Sequence, residues 1–182
     1  FGTQSEIYWD DSYLGAQVGA ITRGSYTLKI IDPILFIKSF VPASYLNGNT
    51  IFDFTDFNNP ASEQLFNEVV SSLSAAFSRY TNDSERENRI TKIQSDSIGF
   101  AQALRNTIEN DYQWELKRVI SINQVAIQAI EYDNDTIALL SDVKKADALI
   151  GSRGNSFLQQ SVARGVQGAG ENNGGMGLFG LG

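Results

Sequence analysis

The sequence predicts a domain of mixed strands and helices, α+β in class. Three observations lead there. The hydrophobic period changes from two to nearly four at Asp32-Pro33. Two long stretches, one from Pro60 and one following Asn82-Asp83, carry apolar residues at helical spacing. A β-branched run through Val119, Ile120, Ile122, Val125 and Ile127 then resumes a strand pattern.

Taken in order, Glu6 to Trp9 reads as a short strand, and Asp10-Asp11-Ser12 with Gly15 supplies turn chemistry after it. Ala16 to Ile31 forms a long strand in which Arg23-Gly24-Ser25 breaks the alternation, as a bulge or bend does. Asp32 is placed as N-cap and Pro33 at the first helical position, where no amide donor is required, so this strand runs directly into a short helix. That helix ends near Phe40, because Pro42 biases Val41 away from helical geometry. Tyr45 to Asn59 reads as loop, with Ile51, Phe52, Phe54 and Phe57 as apolar anchors.

Asn59-Pro60 opens a long helix whose stripe of Leu65, Phe66, Val69, Val70, Leu73, Ala76, Phe77 and Tyr80 faces the core. Ser84 and Glu87 have capping-box spacing for a second long helix, with Ile90, Ile93, Ser97, Ala101, Leu104, Ile108 and Tyr112 on one face and an end near Asp111. From Trp114 the period shortens, and Leu116 to Ile130 forms the next strand, with Asn123-Gln124 the place for a bulge. Asp133-Asn134-Asp135 caps a last helix carrying Ile137, Leu139, Leu140, Val143, Ala146, Leu149 and Ile150. Phe157 to Val166 is compatible with helix, and Gly165 to Gly182 is glycine-dominated with too little apolar bulk to fold alone. The expected organisation is a domain over residues 1–150 and a flexible tail over 151–182.

Composition narrows the chemistry. The 182 residues include no Cys and no His, which removes disulfides, Cys or His zinc sites, and Ser-His or Cys-His nucleophilic pairs. A net charge of -7 argues against nucleic acid as a partner, since phosphate contacts need clustered Lys and Arg. The absence of Cys suits a reducing cytoplasm. No signal peptide or membrane-length apolar run is present, and the start at Phe1-Gly2-Thr3 instead of Met leads us to expect that an N-terminal portion of the native protein is missing.

Each candidate chemical motif has a plainer explanation that outweighs it. Gly175-Met176-Gly177-Leu178-Phe179-Gly180 spells a dinucleotide string but follows no strand and opens no helix. Asp133-Asn134-Asp135 starts like a calcium loop, yet Ala138 holds the sixth position and no Glu closes it, so helix capping is the better reading. Asp53 and Asp56, framed by Phe52, Phe54 and Phe57, form the one carboxylate pair worth testing for acid–base work, against a loop pinned by its aromatics. Asp10-Asp11 reads as a turn, Arg86-Glu87-Asn88-Arg89 as a solvated face, and Lys144-Lys145 as an exposed pair. The residues thus predict no catalytic, cofactor or metal site.

The order strand, short helix, two long helices, strand and final helix resembles the second half of an SPFH or Band 7 domain, the module of stomatins, prohibitins and flotillins. The local carriers are Gly24-Ser25-Tyr26-Thr27-Leu28-Lys29-Ile30-Ile31-Asp32-Pro33, the following Leu35-Phe36-Ile37, and Asp111-Tyr112-Gln113-Trp114-Glu115-Leu116. The last string is similar to the family's tyrosine-glycine step into a strand, with Gln113 standing where the family has glycine. Phe1-Gly2-Thr3, the Asp-Pro helix start and the Gly-Met-Gly tail further resemble a bacterial branch called virion core protein-like, whose tail often precedes a zinc ribbon that this chain lacks.

The resemblance implies a curved, mostly antiparallel sheet with the helices from Pro60 and Glu85 packed on one face. It also implies a non-catalytic scaffold, homo-oligomeric, at or near the cytoplasmic side of a membrane, whose partners are itself and membrane lipid or membrane proteins. One independent hint of self-association is the recurrence of Leu139, Val143, Ala146 and Ile150 at spacings of four, three and four, like a short coiled-coil seam; a helix docked on its own sheet is the alternative. A soluble adaptor that recruits a partner through its final helix and tail is the rival function, and a hydrolase built on Asp53 and Asp56 a more distant one.

Overall fold

The structure, a computed structural model, describes residues 1–53, 56, 58–86 and 88–151. It is α+β, with a three-stranded antiparallel open sheet and several helices. Contacts divide the chain into two units, Phe1–Ile137 and Ala138–Gly182.

Strands β1 (Ile7–Asp11), β2 (Ala16–Ile30) and β3 (Ile120–Tyr132) lie in the order β1-β2-β3. β1 pairs with Ala16–Ala20, and the chain start extends that edge through a bridge between Gly2 and Arg23. The register between β2 and β3 shifts at Arg23/Gly24 and again at Thr27/Leu28. The first shift falls at the predicted Gly24 interruption and the second leaves Asn123 as the extra residue on β3. Only glycine fits at position 24, because an added Cβ there would meet the carbonyl oxygen of Ala126 and the ring of Phe1.

At the end of β2 the predicted junction forms. Asp32 Oδ1 accepts from Ile34 N and Leu35 N, each at 3.0 Å, and Pro33 opens α1 (Pro33–Ser39). A four-residue helix α2 (Ala43–Leu46) follows after Pro42, in a stretch expected to be partly loop. Ile51, expected as an anchor, is 87% exposed. The anchoring is done by Phe52, which packs edge-on against Phe36 and Tyr45; Phe54 and Phe57 lie outside the described residues.

Helix α3 (Pro60–Thr81) begins as predicted, with Asn59 Oδ1 accepting from Ala61 N at 3.1 Å. Its buried stripe is Leu65, Val69, Leu73, Ala76, Phe77 and Tyr80, and each large apolar side chain so buried contributes about 1.5–3 kcal/mol. Phe66, placed in that stripe by periodicity, instead sits on the outer face, and Glu68 takes a buried position. Trp9 stacks on Phe77, and Phe77 packs at a tilt on Phe100, with 4.8 and 4.7 Å between ring centroids, joining β1 and α3 to the next helix.

That helix, α4 (Ser97–Tyr112), starts later than expected. The capping box at Ser84 does not open a helix: Asp83 closes local turns by accepting from Glu85 N and Arg86 N, and Glu87 lies outside the described residues. Ile90 and Ile93 are buried at the two ends of a short 3₁₀ turn, so they keep helical spacing without lying in an α-helix. Asp96 supplies the true cap, its Oδ1 accepting from Gly99 N at 2.9 Å.

A single π-helical turn, Trp114–Arg118, separates α4 from β3, so the strand starts at Ile120 and not near Leu116, which is exposed. Both ends of this turn are residues with left-handed backbone, Gln113 at φ 55° and Val119 at φ 58°. For a β-branched residue such as Val119 that conformation stores strain of about 1–3 kcal/mol. After β3, Asp133 Oδ1 accepts from Thr136 N at 2.8 Å, and residues 134–151 are helical (α5). Asp133-Asn134-Asp135 is therefore a helix cap.

Candidate functional site

The segment from Ile30 to Ile51 is unusual in composition: Asp32 and Lys38 are its only charged residues. In the fold it exposes Ile30, Ile31, Ile34, Leu35, Ile37, Leu46 and Ile51, with Ile34 at 68%. Helix α1 buries only Phe36 among its residues, so its remaining apolar side chains form an outward platform. A seven-residue helix is too short to persist alone, and the platform therefore depends on what holds it from beneath.

Two devices do so. Phe36 packs on Phe40 and Phe52, with centroids at 5.3 and 6.3 Å, and Phe52 packs on Tyr45. On the other side, the guanidinium of Arg118 lies 5.5 Å from the centre of the Phe40 ring. Arg118 is itself fixed by Glu68 of α3, whose carboxylate accepts from Arg118 Nη1 at 2.5 Å and Nη2 at 2.7 Å. Trp114 Nε1 at 2.5 Å and Gln64 Nε2 at 2.9 Å complete the set of donors.

Burial is the largest single influence on Glu68 and opposes its charge. Together, however, the hydrogen bonds from Arg118, Trp114 and Gln64 and the Arg118 charge outweigh it and hold the carboxyl below its ordinary range. With its oxygens engaged by four donors, Glu68 acts as a clamp between α3, the π-helical turn and, through Arg118, the end of α1. Sequence reasoning missed it. The available signal was that Ala61, Leu65, Glu68, Ser72 and Ala76 recur at spacings of four, three, four and four, with Trp114 and Arg118 also four apart.

A second polar cluster joins α3 to α4. Tyr80 donates to Asp96 Oδ2 at 3.0 Å, and burial followed by that bond and the Asp96 charge pushes its phenol strongly upward. Burial, with the Asp11 carboxylate, pushes Tyr132 up to about 12. Both tyrosines stay protonated across the physiological range and serve as donors.

The carboxylate pair proposed from sequence is not brought into a buried arrangement. Asp53 and Asp56 are both exposed. Asp56 Oδ1 accepts from Asn58 N and Nδ2, and the backbone oxygen of Asp53 accepts from Asn59 Nδ2, so both residues shape the turn that leads into α3. In α5, Leu139 and Val143 are half-buried while Ala146 and Ile150 are exposed, Ile150 at 70%. Lys144 and Lys145 are exposed, and Lys145 pairs with Asp142 at 3.1 Å. The Gly175–Gly180 string and residues 157–166 lie outside the described residues. Among the described residues there is no cluster of acidic side chains suited to a metal, and no helix long and apolar enough to cross a membrane.

No family model, curated protein or solved structure matches this chain.

Proposed function

We propose that the chain is a non-catalytic scaffold of the SPFH or Band 7 kind that forms homo-oligomers at or near the cytoplasmic face of a membrane and organises other proteins there. The observation that carries the reading is the set of exposed apolar side chains Ile34, Leu35, Ile37, Leu46 and Ile51, in a segment nearly devoid of charge whose α1 end is braced by the Glu68–Arg118 clamp. Exposed apolar surface of this kind marks a protein–protein or membrane contact.

The test is assembly and lipid binding of the 182-residue chain. Light scattering coupled to size exclusion is expected to give an oligomer, and flotation with phosphatidylcholine vesicles to carry the protein upward. Both are expected to weaken with Ile34→Glu and Ile37→Glu while the circular dichroism spectrum is kept. A monomer that stays in the soluble fraction would overturn the scaffold reading and favour the adaptor. Val143→Glu separates the interfaces: loss of assembly with retained folding assigns the seam of Leu139, Val143, Ala146 and Ile150, whereas loss of folding assigns Val143 to the core.

A further inference from the structure

The edge of β2 is covered unevenly. β1 pairs with its first part, and Phe1–Thr3 continue the same line: Thr3 N donates to Thr22 O at 3.0 Å, Gly24 N to Phe1 O at 3.0 Å, and the Phe1 nitrogen to Gly24 O at 2.7 Å. Beyond Gly24, β2 runs on to Ile30 with β3 as its partner on one side alone among the described residues.

The direction of the free groups follows from parity. Thr22 and Gly24 turn their N–H and C=O toward the chain start, whereas Ile31 N donates the other way, to Val119 O at 2.7 Å. Both register shifts place the extra residue on β3, so β2 keeps its alternation, and Tyr26, Leu28 and Ile30 present their N–H and C=O to the open side. The same three residues, with Ser62 and Leu65 of α3 and Ile120 of β3, line an uncharged groove of about 400 Å³. The Phe1 ring stacks on Tyr26 at 6.2 Å, so a side chain of the existing partial strand already lies against one wall residue of this groove.

We propose that the edge from Ser25 to Ile30 is a strand-accepting site for an extended peptide that runs antiparallel to β2, in line with Phe1–Thr3. The peptide has apolar side chains at alternate positions, directed into the groove beside Leu65. This is strand addition, in which main-chain hydrogen bonds give affinity and pockets for alternate side chains give selectivity. The outward face, Ser25, Thr27 and Lys29, is exposed and polar, so the intervening residues of the guest are polar, with a carboxylate favoured opposite Lys29. A second copy offering its own β2 edge fits less well. Pairing about Leu28 sets Asp32 of each copy against Gly24 of the other, where Phe1 already occupies the edge. The site takes such a strand whether or not the chain self-assembles.

The probe is a short Thr/Val tether fused directly to Phe1 of the 182-residue chain, which holds the strand at millimolar effective concentration. With Gly2 opposite Arg23 and Phe1 opposite Gly24, Val is placed two, four and six residues ahead of Phe1, to face Tyr26, Leu28 and Ile30. A matched tether carries Pro at the middle position, which removes the donor aimed at Leu28 O. Amide hydrogen exchange at Tyr26, Leu28 and Ile30 is expected to slow by about tenfold or more in the Val tether relative to the Pro tether, at unchanged molecular mass. Equal exchange in the two overturns the proposal. So does protection of these amides without any tether that appears together with a concentration-dependent dimer, since the edge then belongs to a second copy.

Discussion

Replacing Glu68 with Leu tests the clamp most directly. The Glu68 and Arg118 side chains are 10% and 17% exposed, so removal of the carboxylate strands a guanidinium that cannot fully regain water. Breaking one side of such a buried pair costs about 3–5 kcal/mol. Trp114 Nε1, itself buried, also loses its acceptor, a penalty of about 1–3 kcal/mol that overlaps with the first. A total near 3–5 kcal/mol corresponds to a fall in Tm of about 6–20 °C for a chain of this size.

Adding Arg118→Met removes the stranded charge, and the double variant is expected to recover to within about 1–2 kcal/mol of the parent, a coupling of about 2 kcal/mol or more. Urea unfolding followed by tryptophan fluorescence measures each corner of the cycle. The pH dependence has a definite sign. Glu68 is held below its ordinary 4.5, so the unfolded chain binds the proton first on acidification. The stability it contributes is complete above about pH 5 and is lost as pH falls from there through the folded value. The gap between parent and Glu68→Leu therefore narrows in acid. A single-variant loss under about 1 kcal/mol, or additive single effects in the cycle, refutes the clamp.

Gln113→Gly relieves a left-handed backbone at φ 55° and is expected to raise stability by about 0.5–1 kcal/mol, read as a higher urea midpoint; a lower one would show that the Gln113 side chain matters more than its backbone. Gly24→Ala forces a Cβ against the Ala126 carbonyl and the Phe1 ring and is expected to cost about 1–3 kcal/mol in the same assay. Tyr132, raised to about 12, contributes stability that is whole below its ordinary 10.0 and lost as pH climbs from there to about 12. Phenolate absorbance is expected to show this late ionisation in the folded protein, and Tyr132→Phe to flatten that part of the alkaline stability curve. Asp32→Ala removes the acceptor for two amides of α1 and is expected to cost about 0.5–2 kcal/mol, with faster amide exchange confined to α1 and its surroundings.

What sequence reasoning resolves here is local chemistry. The β2–α1 junction was legible because Asp32 and Pro33 fix a cap and a first helical position within two residues, and the start of α3 was legible for the same reason at Asn59-Pro60. The break at Gly24 was legible because a strand interior rarely tolerates glycine without a bulge. The region from Asn82 to Asp96 departs from the expectation because Ile90 and Ile93 are buried from a 3₁₀ turn, not an α-helix, and periodicity reports burial without reporting backbone. Glu68 escaped notice because a carboxylate on a buried stripe makes sense only once Trp114 and Arg118, distant in sequence, are seen beside it. The platform escaped for a related reason: the apolar residues of α1 have helical spacing, and nothing local tells which of them the core will claim.

The platform is not a by-product of an underfilled core. Val69, Leu73, Phe77, Ile93, Phe100 and Leu104 are fully enclosed, so the interior already has its apolar complement. Yet seven of the fifteen exposed large hydrophobic residues among the described residues fall between Ile30 and Ile51, where scattered exposure would spread them along the chain. The same segment is pinned by a capped start, an aromatic cluster and a clamped arginine. Fixing apolar side chains in place before any contact is made lowers the ordering cost of association, so rigidity and exposure together favour binding where either alone would not. A flexible loop with the same residues would have to order on contact. Loosening the clamp through Glu68→Leu is therefore expected to weaken the proposed assembly even though Glu68 is a buried residue of α3.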